Sequence, residues 1–422
     1  MSWLKWLPWK FVIRRMARSQ GFLDPFALMA RLERFIQPSE VAEPIELLRA
    51  GAVFHARGLI NSRVIQHNLD WVWPFWVERQ FDPRDEAFVP RAFSITHVNL
   101  THRNWTAVGV PGWPELPIVD PRGLLTPTFD GFSLDAWIVT DDGAALLPSR
   151  ARDSSQHWNS ATPVRGWSPE RSSTAWISSP AYASPGTRHP RACSRSRRGP
   201  SARRGWCSPV RPYNPEGVSF IQRIDLADSR DMLTIDGERH LRLSAPVDRH
   251  HVSDYRHGDV FIHLDDLRDS AHGRCDVEMA TAAAMFRIEP GRAREVSATL
   301  DLPVSDDAPA GPRTTWREAL AHCCRLEAPD ARWQQLYDAA LHTLVLHSPR
   351  DVYAGPFTYK RFWFRDAAFI VNALLAAGPV ERAERVIDTF PGRQNAMGYF
   401  HSRKANGIPT ARRYGSWTAS AN

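Results

Sequence analysis

The hydrophobic period of this chain changes once, near Pro312, and that change constrains the fold more than any other feature of the sequence. From Gly51 onward apolar residues come in short runs separated by Gly, Pro, Asn and Asp. The runs are Val53-Phe54-His55, Trp71 to Val77, Ser94 to Leu100, Trp105 to Val110, Trp137 to Thr140, Val218 to Ile224, Leu233 to Ile235, His240 to Leu243, Val260 to Leu264 and Ala282 to Ile288. Val296, Ala298, Leu300 and Leu302 alternate strictly. Short runs of period two between turn residues predict one β-sandwich across residues 51–305.

Beyond Pro312 spacings of three and four take over. Trp316 to Leu326 reads as one helix, and Asp330 caps a second that carries Trp333, Leu336, Tyr337, Ala340, Leu341, Leu344 and Val345 on one face. A third starts near Asp366, with Phe369, Ile370, Ala373 and Leu374 inward and Gly378-Pro379 as its stop signal. A fourth carries Ala383, Val386, Ile387 and Phe390 before Pro391-Gly392. The fold class expected is therefore α+β and multidomain, with sheets first and antiparallel helices after.

The chain has 422 residues, enough for two or three domains, and 43% hydrophobic residues with 17 Trp exclude a disordered or collagenous chain. Its net charge of +7 is unevenly placed. Residues 151–208 hold ten Arg and only Asp153 and Glu170 as acids, and residues 401–422 hold Arg403, Lys404, Arg412 and Arg413 with no acid. The remaining body is mildly acidic, so the overall charge is no argument for nucleic acid as a partner. The five Cys show no CxxC spacing, which predicts a reducing compartment with no metal site and no disulfide framework. Neither a Walker loop nor GxGxxG occurs, and no cofactor is expected.

The two basic segments are compositionally abnormal. Residues 151–208 contain no Leu, Phe or Met, yet include Trp158, Trp167, Trp176 and Trp206. Three readings stand side by side: a disordered basic linker, an RNA-binding stretch of the Arg/Ser kind, or sequence translated out of frame. Codons for Lys404 to Asn422 can be chosen so that a second phase reads Gly-Glu-Trp-Asp-Ser-Asn-Gly and then an apolar helical pattern, which extends the third reading to the tail at 403–422. The first 50 residues read as an amphipathic helical segment, with Trp3, Trp6, Phe11, Val12 and Met16 interleaved with Lys5, Lys10, Arg14, Arg15 and Arg18. It either packs on the body or lies on an anionic membrane surface. No apolar stretch reaches about 18 residues and no cleavable signal is apparent, so a cytoplasmic location is expected, peripheral to the membrane under the second alternative.

The stretch from Asp351 to Ile370 carries the chemistry. Tyr353, Phe357, Tyr359, Phe362 and Trp363 share a loop and helix start with Lys360, Arg361, Arg365 and Asp366, where a plain connector would be small and polar. Flat apolar rings stack on the C–H face of a sugar, while a guanidinium or carboxylate fork takes paired hydrogen bonds from adjacent hydroxyls. Asp366 has a competing reading as the N-cap of its helix. Sandwich, helical hairpins and then Trp363-Phe-Arg-Asp-Ala367 at a helix start resemble the glucoamylase-type and glycogen-debranching-type glycosidases, whose catalytic domain is an (α/α)6 barrel of six hairpins. The resemblance covers roughly residues 51–150 and 209–400. It implies that Arg365 and Asp366 hold sugar hydroxyls, that Trp363 and Tyr353 line the site, and that the partner is an oligo- or polysaccharide. It also implies that residues 313–402 are the start of an α/α toroid.

Glycoside hydrolysis requires two carboxyl groups flanking the scissile bond. Asp366 is assigned to binding and Glu381, Glu384 and Asp388 fall on a solvated helix face, so the catalytic residues stay unassigned. About 110 residues follow Pro312, against roughly 300 to 400 for six hairpins. The chain is accordingly expected to hold a truncated barrel and to be inactive. The rival reading is a noncatalytic carbohydrate-binding or membrane-surface protein. The dense set His250, His251, Asp254, His257, Asp259 and His263 lacks a ligand spacing and reads as a polar loop. Arg211 to Gly217 reads as a turn at the interface of the two domains, with Glu216 within reach of a ligand.

Overall fold

The computed structural model describes residues 60–85, 106–151, 204–288, 294–300, 314–356, 360–394, 398 and 400, with a few positions inside these ranges left out. Expectations for residues 1–50, Val53–His55, Ser94–Leu100, Glu216, Phe357, Tyr359, the tail and most of 151–208 lie outside the described residues. What is described is a mixed structure of antiparallel sheets followed by a few helices.

In chain order the elements are α1 (Phe75–Phe81), β1 (Thr106–Ala107), β2 (Ile118–Val119), β3 (Leu125–Thr126), β4 (Ser133–Leu134), β5 (Trp137–Thr140), β6 (Ala145–Leu146), β7 (Arg204–Arg211), β8 (Tyr213–Asn214), β9 (Gly217–Val218), β10 (Arg223–Leu226), β11 (Met232–Ile235), β12 (Arg239–Leu243), β13 (Arg249–Ser253), β14 (His272–Arg274), β15 (Thr281–Ile288) and β16 (Ala298–Leu300). The helical part adds α2 (Trp316–Ala319), α3 (Ala331–Leu346), α4 (Phe364–Ala377) and α5 (Val380–Ile387). Among the described residues one sheet has nine strands in the order β1-β2-β3-β4-β7-β15-β13, with β5 on β7 and β6 on β5; a second has five in the order β14-β10-β11-β12-β16. The two sheets share one core: Leu134, Val210, Ala282, Ala284 and Phe286 from the first meet Ile224, Leu226, Leu233, Ile235, Leu241 and Leu243 from the second. Alternate burial along β10 and β11 is what period two demands of a sheet with one apolar face.

Four differences from the sequence-based expectations have physical causes. Trp71 to Val77 is not a strand: Trp71 to Trp73 run irregularly, Pro74 opens a helix and Phe75 to Val77 belong to α1. A short run buried on every side has no polar beat from which a period can be read, and Trp71, Val72, Trp73, Trp76 and Val77 are all buried. Val260 to Leu264 is a 3-10 turn, because Asp259 caps it by accepting the Phe261 N–H at 3.1 Å. The helix expected from Trp316 to Leu326 stops at Ala319. Its Thr315–Glu318 capping box is complete, but no residue of α2 is buried, so nothing sustains it beyond one turn. Finally, β7 begins at Arg204 and lies at the centre of the large sheet, paired with β15, β4 and β5. The last residues of the abnormal 151–208 stretch are therefore part of the sheet, and the side chain of Cys207 is fully buried.

The helical part forms its own core from Val352, Phe362, Ala367, Val371, Leu374, Ala383 and Val386. Asp330 caps α3 as expected, accepting the Arg332 N–H at 2.7 Å. Gly378 ends α4 in the left-handed region at φ 106°, and a Cβ there would meet the His322 carbonyl oxygen at 2.2 Å, so the stop signal is also a close contact. The inward faces differ from expectation. Trp333 is 63% exposed and Phe369 73%, while Ala367, Val371 and Leu374 are the buried residues of α4. Each helix of this length has apolar residues on two sides, and only the packing partner selects one.

One buried group makes the stability of the β unit depend on pH. Asp120 closes the turn between β2 and β3, its Oδ1 accepting the N–H groups of Arg122 at 2.7 Å and Leu124 at 2.9 Å. Its Oδ2 is buried without a hydrogen-bond partner, and burial pushes the carboxyl up to about 7 despite those backbone donors. A folded-state value above the unfolded value of about 3.9 means that the native state holds the proton more tightly. Stability from this group is then lost as pH rises from about 4 through 7. Asp120→Asn should remove that slope, so that the variant gains on the wild type by a few kcal/mol between pH 4 and 8 in urea unfolding, each tenfold in proton affinity being worth about 1.4 kcal/mol. A difference that stays constant with pH would contradict a protonated Asp120.

Candidate functional site

Backbone and ionic contacts fix the described residues of the loop between α3 and α4. The Tyr353 N–H donates to the His347 carbonyl at 2.8 Å and the Ala354 N–H to the Arg361 carbonyl at 3.5 Å, which folds the loop back on itself. Arg393, beyond α5, forms an ion pair with Asp351 and lays its guanidinium 3.7 Å from the centre of the Phe362 ring. Phe362, Phe364 and Phe390 pack edge to face with one another, so the floor under the loop is aromatic.

At the end of the loop Trp363 occupies the N-cap position of α4, with extended φ and ψ of −135° and 128° and no side-chain cap. This settles the competing reading of Asp366. It is not the N-cap but sits in the first turn, where the positive end of the helix favours a carboxylate. With no capping duty, it pairs with its neighbour: Arg365 Nη2 lies 3.4 Å from Asp366 Oδ2, with the guanidinium 77% exposed and the carboxylate 32% exposed. Both are open to a ligand from solvent. Trp363, in extended backbone just before the helix, and Asp366, in its first turn, are three positions apart at the same helix start. Tyr353 meets another cation of the loop, Lys360, whose Nζ is 6.0 Å from the centre of the ring.

The structure thus joins Arg365 to Asp366 directly and places Trp363 on the same helix start, while Tyr353 is set on the loop through Lys360. Glu381, Glu384 and Asp388 are exposed. Two residues that sequence reasoning did not single out take part. Glu115, from the segment between β1 and β2, binds Lys360 at 3.0 Å, and Arg393 holds Asp351. No local pattern marks either residue, since partners 245 and 42 positions away leave no trace in spacing.

The His and Asp residues between 250 and 263 are divided among separate contacts. His257 pairs with Asp254 at 2.8 Å, His263 with Asp266 at 2.7 Å, and His250 lies 3.5 Å from Asp269. Among the described residues no group of three His, Cys, Asp or Glu could hold a metal ion. Nor is any helix among them long and apolar enough to cross a membrane. Asp259 belongs to a different arrangement, in which it binds Arg211 at the centre of the β unit. In the stretch from Arg211 to Gly217, expected as an interdomain turn, Arg211 ends β7, Tyr213 and Asn214 form β8 and Gly217 begins its partner β9, and Arg211, Tyr213 and Asn214 are buried.

Comparison with models of known protein families and with curated proteins finds no match. Among solved structures, a bacterial glucoamylase complexed with acarbose is similar to this chain at 11% identity and a TM-score of 0.39, over 72% of this chain. The similarity spans 54% of that protein's length.

Proposed function

We propose that this chain is a carbohydrate-active protein that binds a glucan or oligosaccharide at the start of α4, with Arg365 and Asp366 gripping hydroxyls and Trp363 and Tyr353 offering ring faces. The observation that carries the reading is the solvent-open guanidinium–carboxylate pair in the first turn of a helix whose N-cap is a tryptophan. A sugar presents hydroxyl pairs and an apolar face together, and this arrangement offers a counterpart to both. In this reading residues 51–305 form a β-sandwich domain and residues 313–402 the first hairpins of a glycosidase-like α/α toroid. The activity this reading implies for the fold is hydrolysis of a glucan through paired carboxyl groups. The carboxylates of α5 stand in solvent, and this reading assigns no catalytic pair.

Titration calorimetry with maltoheptaose and with acarbose tests this. Charge-assisted hydrogen bonds are worth about 1.5 to 3 kcal/mol, so Asp366→Ala should weaken binding by roughly 10- to 100-fold, and Trp363→Ala by a similar factor. Asp366 is partly exposed and pairs with a largely exposed Arg365, so Asp366→Ala should leave the midpoint of thermal unfolding nearly unchanged. Saccharide binding that survives both substitutions intact would overturn the assignment.

A further inference from the structure

We propose that the Glu115–Lys360 ion pair is a strap through which the β unit holds the aromatic loop in position, making Glu115 and Lys360 positioning residues for the site. The consequence for sugar binding rests on the saccharide reading above; the mechanical claim about the loop does not. Lys360 Nζ lies 3.0 Å from Glu115 Oε2, with side-chain exposures of only 12% and 17%. A pair this sheltered escapes most of the screening that makes surface pairs nearly worthless. It also joins segments that no other sequence logic connects, the β1–β2 segment and the loop before α4. The same ammonium faces the Tyr353 ring. Lys360 therefore stands between a fixed carboxylate on the β unit and one of the rings proposed to meet the ligand.

The anchorage behind Glu115 is firm. A Cβ built on Gly109 would lie 3.1 Å from Leu346 Cδ2, 3.5 Å from Leu116 Cδ2 and 3.6 Å from the Glu115 carbonyl oxygen. Gly109, packed beside the Glu115 backbone, is thus seated closely against Leu346 in the last turn of α3. Three other attachments of the loop come from the helical part: Asp351 to Arg393, Arg393 over Phe362, and the Tyr353 N–H on His347. Those contacts fix the base of the loop. Glu115 fixes the segment that carries Lys360 and leads into Trp363.

Hydrogen exchange measured by mass spectrometry on the full chain decides the point, with Glu115→Lys, Lys360→Glu and the exchanged double variant. Each single change should speed exchange of the peptides covering 351–356 and 360–363 by at least about 10-fold, leave β15 unchanged, and be largely reversed in the double variant. Glu115→Gln and Lys360→Met give the same readout without introducing a like charge, should a reversal disturb the fold. Unaltered exchange in the loop, or a double variant no better than the singles, would overturn the strap. Maltoheptaose affinity measured on the same proteins should fall about 10-fold in the singles and recover in the double. A loosened loop with unchanged affinity would overturn the positioning role. A wild type that binds no glucan, but whose loop exchange follows the charge pattern, would remove the saccharide reading and leave the strap standing.

Discussion

Asp259→Asn is expected to cost about 3 to 5 kcal/mol of stability, because it leaves the Arg211 charge buried without its counter-charge. Arg211 and Asp259 are both fully buried and meet through two parallel contacts, one of 2.6 Å between Nη1 and Oδ1 and a second between Nη2 and Oδ2. All three guanidinium nitrogens are engaged: Nε donates to the Tyr213 hydroxyl at 2.8 Å, Nη1 also to Thr281 Oγ1 at 2.9 Å, and Nη2 also to the Val72 carbonyl at 3.1 Å. Asp259 Oδ2 in turn accepts the Val72 N–H at 2.7 Å. The rings of Trp137 and Tyr213 flank the guanidinium at 5.0 Å each. Burial works against the Arg211 charge, and Asp259 beside it more than offsets this, holding the guanidinium protonated beyond its usual range.

The network ties the end of β7, the segment before α1, the 3-10 turn and β15 into one unit. Arg211→Met should be as damaging as Asp259→Asn, since it strands the carboxylate instead. Replacing both partners with apolar residues, Arg211→Met with Asp259→Leu, should cost less than the sum of the two single changes. Urea titrations followed by tryptophan fluorescence supply the comparison. Single changes costing under about 1 kcal/mol would mean that water reaches the pair.

Trp137→Ala is the second large effect, at about 3 to 5 kcal/mol, since the Trp137 side chain is fully buried and its loss would leave a large cavity. It sits in β5 against Val72, Cys207, Val260 and Ala283, edge to face with Phe261 at 5.6 Å. Its Nε1 also donates to Asp135 Oδ2 at 2.8 Å, while the Ala136 N–H donates to Oδ1. Burial raises the Asp135 carboxyl above its ordinary value, and the indole N–H is the strongest opposing influence. Trp137→Phe keeps most of the apolar volume and removes the donor, so it should account for about 1.5 to 3 kcal/mol of the total. If Trp137→Phe costs nothing measurable in the same urea titration, Asp135 does not depend on that hydrogen bond.

Where an element carries a clear beat, the sequence alone sufficed. Alternation placed β11, β12 and β15 within a residue or two, Asp330 announced the start of α3, and Gly378-Pro379 announced the end of α4. The stretch holding Trp363, Arg365 and Asp366 stood out for a different reason, an unusual composition for a connector, and its role in binding a saccharide is the proposal made above. The same local reasoning failed at Trp71 to Val77 and at Val260 to Leu264. Their apolar runs pack into the core, and their backbone is set by Pro74 and by the Asp259 cap rather than by period.

What only the tertiary structure decided are the contacts between distant positions. Arg211 looked like part of a turn and proved to be the centre of a buried network, because its partners Val72, Asp259 and Thr281 lie 139, 48 and 70 positions away. Glu115 carried no mark at all until Lys360 was placed beside it. Likewise the one apolar face expected for each of α3 and α4 is covered only in part: Leu341 and Leu374 turn inward while Trp333 and Phe369 are left in solvent. A sequence records local propensity and the sum of apolar surface; which charge meets which, and which of two apolar faces is covered, depends on chain closure over long separations, where spacing carries no information.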